Sequence, residues 1–341
     1  MNCKTISLLV FGGIFLAINS VYAFQGYFTP RISVSEEYSD NIYLSSRFKE
    51  HDYITGITPG FTLDIPGQRG GATISYDPSF VFYKNDTDNN TTRQSAQFSL
   101  WNNLWKNTRL EFNNSYLRTE DPLEDEDFFL ETGESLTEPD HTVRQSREPY
   151  YINTTSLNLT HQFGTADLFR MGYVFGLRQN DSPTEDDYKR HTPSIGLTYW
   201  FLPDMAVETN LSYTKAEYSG SDNSSDDFKE WEAGLKLIKR FSRHLEGFIN
   251  YKHTIMDYKG DEEDYQVFDP SIGINYAISD DTRLNIGLGY FIQDRENSDG
   301  DSGLSLTGDL GKTWDFKRGS IDLTGVIGYD EANLGAENLG F

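Results

Sequence analysis

The chain has 341 residues, 53 Asp and Glu against 29 Lys and Arg, a formal charge of −24, a single cysteine and 14% aromatic residues. Such acidity argues against nucleic acid as a partner, because a phosphate backbone calls for basic stripes. Cys3 lies inside a leader, so the mature chain has no disulfide, thiolate metal site or cysteine nucleophile.

Residues 1–23, MNCKTISLLVFGGIFLAINSVYA, combine an early lysine, an apolar run from Ile6 to Ile18 and small residues ahead of Ala23. This is a secretory signal peptide. Its apolar run is shorter than the roughly 18 residues a spanning helix needs, and no later run is longer. The mature unit is then one domain, residues 24–341.

From Phe28 onward the pattern has period two, the mark of strands rather than helices. Strands are predicted at 28–38, 52–65, 71–84, 94–105, 107–118, 150–163, 166–178, 188–201, 204–216, 229–240, 244–256, 266–279, 281–292, 303–315 and 319–330. Short turns such as Pro66-Gly67-Gln68-Arg69-Gly70, Gly164-Thr165, Leu202-Pro203-Asp204 and Asp280-Asp281 alternate with long polar loops. The segments 119–140, 179–187, 217–228, 257–265 and 293–302 hold about half of the acids and, among basic residues, only Lys259 and Arg295. Sorting short turns to one end and long loops to the other predicts an all-β transmembrane antiparallel barrel of about 16 strands, with lipid covering the apolar face. The negative mean hydropathy of −0.58 is compatible with this, because the inner face and the loops are polar.

The motifs ITPGFTL at 57–63, HTPSIGLTY at 191–199 and FDPSIGINY at 268–276 repeat weakly. Pro59, Pro193 and Pro270 cannot donate to a ladder, so they are expected at bulges or above the membrane edge. Asn153 and His161 break the apolar face of the sixth strand. The final strand rises, and the tail Ala336-Glu337-Asn338-Leu339-Gly340-Phe341 lacks strand alternation. The expectation is a chain truncated by roughly 10 to 20 residues, the missing part being a sixteenth strand.

The run Ser35 to Leu44 with Tyr38-Ser39-Asp40-Asn41-Ile42-Tyr43-Leu44, then Asp52-Tyr53-Ile54-Thr55, Pro59-Gly60, Ile74-Ser75-Tyr76 and Tyr83, resembles an outer-membrane β-barrel porin family seen beside exopolysaccharide and exosortase systems. The resemblance covers residues 28–84 and implies a Gram-negative outer membrane and a polysaccharide-related role. It supplies no catalytic residues.

Alternation points a set of charged residues inward: Arg109, Glu111, Arg170, Arg178, Glu232, Lys236, Arg240, Glu246, Lys252, Arg283, Asp309 and Asp322. They would line a wet lumen and set which solutes pass, or pair across strands in a closed barrel. Glu124, Asp125, Glu126 and Asp127 belong to an acidic outer loop. Neither this run nor 298–303 has the spacing of a twelve-residue calcium loop, which leaves solvated acids or weak divalent bridging to lipopolysaccharide. None of the six histidines sits in a nucleophile or metal motif, and no cofactor is expected. The sequence therefore reads as a non-enzymatic, cation-preferring channel. The alternatives are a barrel component of polysaccharide export or surface assembly, and an outer-membrane hydrolase. Expected partners are outer-membrane lipids and lipopolysaccharide, the barrel-assembly machinery and polysaccharide-export proteins.

Overall fold

A computed structural model of the protein describes residues 26–43, 47–121, 147–182, 186–219, 227–260, 263–279, 282–316 and 319–327, with side chains as far as Lys312. Its strands are β1 (Tyr27–Ser39), β2 (Asp52–Ile65), β3 (Gly70–Tyr83), β4 (Thr91–Trp105), β5 (Thr108–Thr119), β6 (Tyr150–Gln162), β7 (Leu168–Asn180), β8 (Asp187–Leu202), β9 (Met205–Ser219), β10 (Phe228–Arg240), β11 (Leu245–Tyr258), β12 (Tyr265–Ser279), β13 (Thr282–Arg295), β14 (Ser302–Phe316) and β15 (Gly319–Ile327). They form one 15-stranded sheet in chain order, and every neighbouring pair is antiparallel. Among the described residues β1 and β15 are not paired with each other. The signal peptide and the tail expected to precede a sixteenth strand fall outside the described residues.

Along most of their length the apolar stripes of the described strands reach one side of the sheet. Ile249, Ile272 and Leu288 face one another across β11, β12 and β13, and each is at least half exposed. A sheet that leaves so many large aliphatic side chains uncovered needs an apolar solvent on that side. Turn chemistry fixes the short connections. The Ser242 hydroxyl accepts the amides of His244 and Leu245 at 3.2 and 3.1 Å, and Asp167 accepts the Trp200 amide at 2.7 Å.

The three prolines do not sit at bulges, the first of the two placements expected of them. Pairing of β2 with β3, β8 with β9 and β12 with β13 lapses around Pro59, Pro193 and Pro270, yet the register on either side of each gap is the same. A missing N–H interrupts the ladder without inserting a residue. The register shifts lie instead at the short-turn end, at Asn103/Trp105, Trp200/Leu202 and Ala277/Ser279.

The two departures on β6 have partners. Asn153 accepts from Asn114 at 3.1 Å and donates to the Ser115 carbonyl at 3.0 Å, and His161 Nδ1 lies 2.9 Å from the Thr108 hydroxyl beside the short turn. Their polar groups are satisfied by the neighbouring strand, as an apolar surrounding demands.

Candidate functional site

The polar side of the sheet carries the charged set. Register places Arg109 and Glu111 on the same face as Asn158 and Thr160 of β6, and these lead in turn to Arg170 of β7. The same face continues through Glu208 to Lys236, from Glu232 by way of Thr254 to Val267, and from Arg283 to Gly311. Arg109 bonds Glu111 at 2.8 Å while its guanidinium lies 4.7 Å from the Trp101 ring centre. Arg240 pairs with Glu246 at 2.9 Å and covers Trp200 at 4.3 Å. Lys252 meets Glu232 at 3.0 Å, Arg170 lies 3.8 Å from Glu208, and Lys236 sits 4.2 Å from the Phe248 ring centre. Gly273 makes room for that ring: a Cβ there would lie 2.3 Å from Phe248 Cζ. Cations lying on aromatic faces keep their charge at the surface of the wall.

Other members of the set are more scattered. Arg178 stands between Ile152 and Tyr188. Arg283 is exposed opposite Ala277 and Gly311, and Asp309 faces Asn285. Asp322 occupies the same face opposite Thr313, although its side chain is not described. Glu124, Asp125, Glu126 and Asp127 lie outside the described residues.

Alternation does not hold to the ends of the strands. Near the long loops the apolar residues change sides. Tyr188, Phe228, Met256, Val267 and Phe291 all lie on the face of the charged set, and each is at most 5% exposed. On the opposite face at that height are Lys189, His191, Lys215, Glu217, Lys229 and Asp257. A 14-residue strand rises about 48 Å, and at a tilt of about 40° it stands about 36 Å tall against an apolar band of about 25 Å. The last turns of strand at the loop end therefore have water outside and apolar packing inside, as in a soluble β-protein. The signal is present in sequence as a change of phase in β8, where the apolar parity switches between Tyr188 and Ile195, whereas in β13 Phe291 is added on the charged face while Tyr290 and Ile292 keep the outward parity.

At the β1 to β6 side of this end, a polar network holds loop residues over the charged face. Ile42, from the segment after β1, is 1% exposed and packs on Ile54, Val81 and Tyr83. Glu120, equally buried, accepts the Tyr83 hydroxyl at 2.8 Å and pairs with Arg93 at 2.7 Å. Arg147 donates to the Ile42 carbonyl at 2.6 Å and to the Tyr83 hydroxyl at 2.8 Å, with its ion pair to Glu120 at 4.0 Å. Asp52 is fully buried and accepts the amides of Tyr53, Lys84, Asn85 and Asp86. Tyr43 donates to Asp86 at 2.6 Å, and burial together with that carboxylate raises its phenol above the ordinary range. Glu120, which falls in the acidic loop segment 119–140 read from sequence, is an anchor at the mouth.

The described histidines sit on the outward face, in turns or in loops. His191 Nδ1 is 2.7 Å from the Tyr173 hydroxyl, and His253 stacks on Phe268 at 4.5 Å. His51 lies 6.4 Å from the Tyr38 ring, and His244 is held in its turn by Ser242.

Residues 158–307, from within β6 into β14, match the family described as "Putative MetA-pathway of phenol degradation". The fold resembles the ferric-catecholate import receptor Fiu from E. coli K12, at a TM-score of 0.50 and 11% identity over 90% of this chain and 63% of that one. The siderophore receptor PirA from Pseudomonas aeruginosa gives 0.49 and 8% identity over 89% and 65%. An anion-selective porin from Comamonas acidovorans gives 0.36 and 10% over 89% and 100%. The chain thus spans less than two thirds of the length of the two receptors. No curated protein matches it. The fold class is all-β, that of the outer-membrane antiparallel barrels.

Proposed function

We propose that the protein is a non-enzymatic channel of the outer membrane for ions or small hydrophilic solutes, with a preference for cations. The observation that carries this reading is the continuous face of mixed charge, from Arg109 and Glu111 through Arg170, Glu232, Lys252 and Arg240, backed by a face of exposed Ile and Leu. Charges lining a closed sheet keep water in its interior. Because acids and bases alternate along that face, the cation preference is assigned to the acidic loops, which raise the cation concentration at the entrance. Reversal potentials of the full-length protein in a planar bilayer test this. A cation preference is expected. Anion preference, or no conductance from folded protein, would overturn it.

A second reading is favoured by the packed mouth around Ile42 and Glu120: a closed barrel that serves polysaccharide export or surface assembly through its loops. It predicts silent bilayers with wild-type protein and copurification with export components encoded nearby. The name of the matched family makes phenol a sensible solute to include beside salts and sugars in liposome-swelling assays.

A further inference from the structure

On the outward face near the loop end, His191 of β8, Lys215 of β9 and Lys229 of β10 stand side by side in register. Lys189, two residues before His191, adds a further cation opposite Glu217 and makes no ion pair among the described residues. Strands in such a ladder are about 4.8 Å apart, and like charges directly opposite one another are destabilising. Two acids stand within or beside this group, Glu217 opposite Lys189 and Asp257 opposite Lys229. Lys215 turns to Glu217 on its own strand at 2.5 Å, and Lys229 reaches toward Asp257 at 3.8 Å. Asp187 is engaged by the Asn180 amide, and Asp227 by Lys259. Both lysine side chains are about half exposed. One outward position closer to the membrane, Tyr213 and Trp231 pack at 4.6 Å, with Ile255 of β11 opposite Trp231 and Tyr173 of β7 opposite Pro193 of β8. Aromatic rings of this kind mark the level of lipid head groups.

We infer that Lys189, Lys215 and Lys229, with His191, form a binding site for a phosphate on the head group of a phosphorylated glycolipid of the outer leaflet. A chain of charge −24 places three lysines together at head-group height against two acids, Glu217 and Asp257, where a phosphate set between Lys215 and Lys229 would meet the remaining positive charge and accept charge-assisted hydrogen bonds. The lipid chains would then lie along Trp231, Leu235 and Leu211 below. The inference rests on the outer-membrane reading given above.

The test uses full-length protein folded in detergent and native mass spectrometry with bisphosphorylated lipid A. Wild type should retain lipid A, while Lys215→Gln/Lys229→Gln should bind it about tenfold more weakly, and Lys236→Gln, on the opposite face, should bind as wild type. Both lysines are exposed, and a heat-modifiable gel band checks that the double variant folds. Lipid A stripped of phosphate should bind as poorly to wild type as lipid A does to the double variant. Equal binding by the double variant would overturn the site. So would equal competition by inorganic phosphate or phosphatidylglycerol, because either would mean that no glycolipid is recognised. Fractionation of cells separates the two readings: absence from the outer membrane with lipid A binding intact would defeat the location and leave the site standing.

Discussion

Glu120 shows how much one side chain can hold. Its carboxylate is buried against Arg93, Arg147 and the Tyr83 hydroxyl, so removing it takes away an acid that two guanidinium groups share, leaving Asp121 at 3.3 Å beside Arg93. Breaking such a pair typically costs about 3–5 kcal/mol. Glu120→Ala is expected to lower the unfolding midpoint in detergent and to free Ile42 from the charged face, seen as more frequent or larger conductance steps. Unchanged stability together with unchanged conductance would mean that the network neither braces nor obstructs the mouth. A second residue acts through pH. Glu263 accepts the Asn297 amide and, at 2.5 Å, the Ser298 hydroxyl, which tie the loop before β12 to the loop after β13. The Ser298 hydrogen bond holds its carboxyl below the usual glutamate range. A depressed folded pKa means that the tie is present above the unfolded value and is lost as pH falls through the folded one. Amide exchange at Asn297, corrected for intrinsic rate, should accelerate on acidification toward pH 3 in wild type and stay flat in Glu263→Gln.

Along a strand, consequence depends on face and on ladder position. Leu288 lies on the exposed apolar face and Asn285 on the charged one. Leu288→Arg should destabilise the folded protein in lipid by about 2–4 kcal/mol, and Asn285→Arg by much less; equal effects would refute the assignment of faces. Ile272 is paired on both sides, with Ile249 and Leu288, so Ile272→Pro should abolish the heat-modifiable form, although Pro270 is tolerated two residues earlier, where the ladder to β13 has already lapsed. All fifteen strands were legible in sequence because period-two alternation survives along most of their length. The change of side at the loop end escaped because only one or two residues per strand, such as Phe228 or Phe291, carry it. The mouth network escaped for another reason. Tyr83, Arg93, Glu120 and Arg147 share no spacing, and only the register of β3, β4 and β5 brings them together. Asn153 and His161 could be recognised as anomalies, but their partners Asn114 and Thr108 depend on the register of β5 with β6.

For the whole molecule, the uneven placement of charge matters more than its sum. The charged face of the sheet pairs acids with bases, whereas the loop segments are overwhelmingly acidic. Selectivity that originates at the entrance should weaken as salt shortens the screening length from about 10 Å at 0.1 M to about 3 Å at 1 M. Reversal potentials recorded across that range, with and without neutralisation of Glu124, Asp125, Glu126 and Asp127, would locate its source; a preference insensitive to salt would move it into the lumen.

The order of strands in the sheet also bears on how the protein comes to be built. Each strand pairs with its immediate predecessor and successor in the chain, so the contacts among described strands can form hairpin by hairpin while the closing loops are still short. Little loop entropy is lost at each addition. The exception is any seam that joins the first strand to the last, which must gather ends separated by the whole domain. Until that seam forms, β1 presents an unpaired edge in a phase that offers it no hydrogen bonds. The slow step of maturation is therefore expected to be closure, and its rate should respond to changes in β1 far more than to equivalent changes in β8.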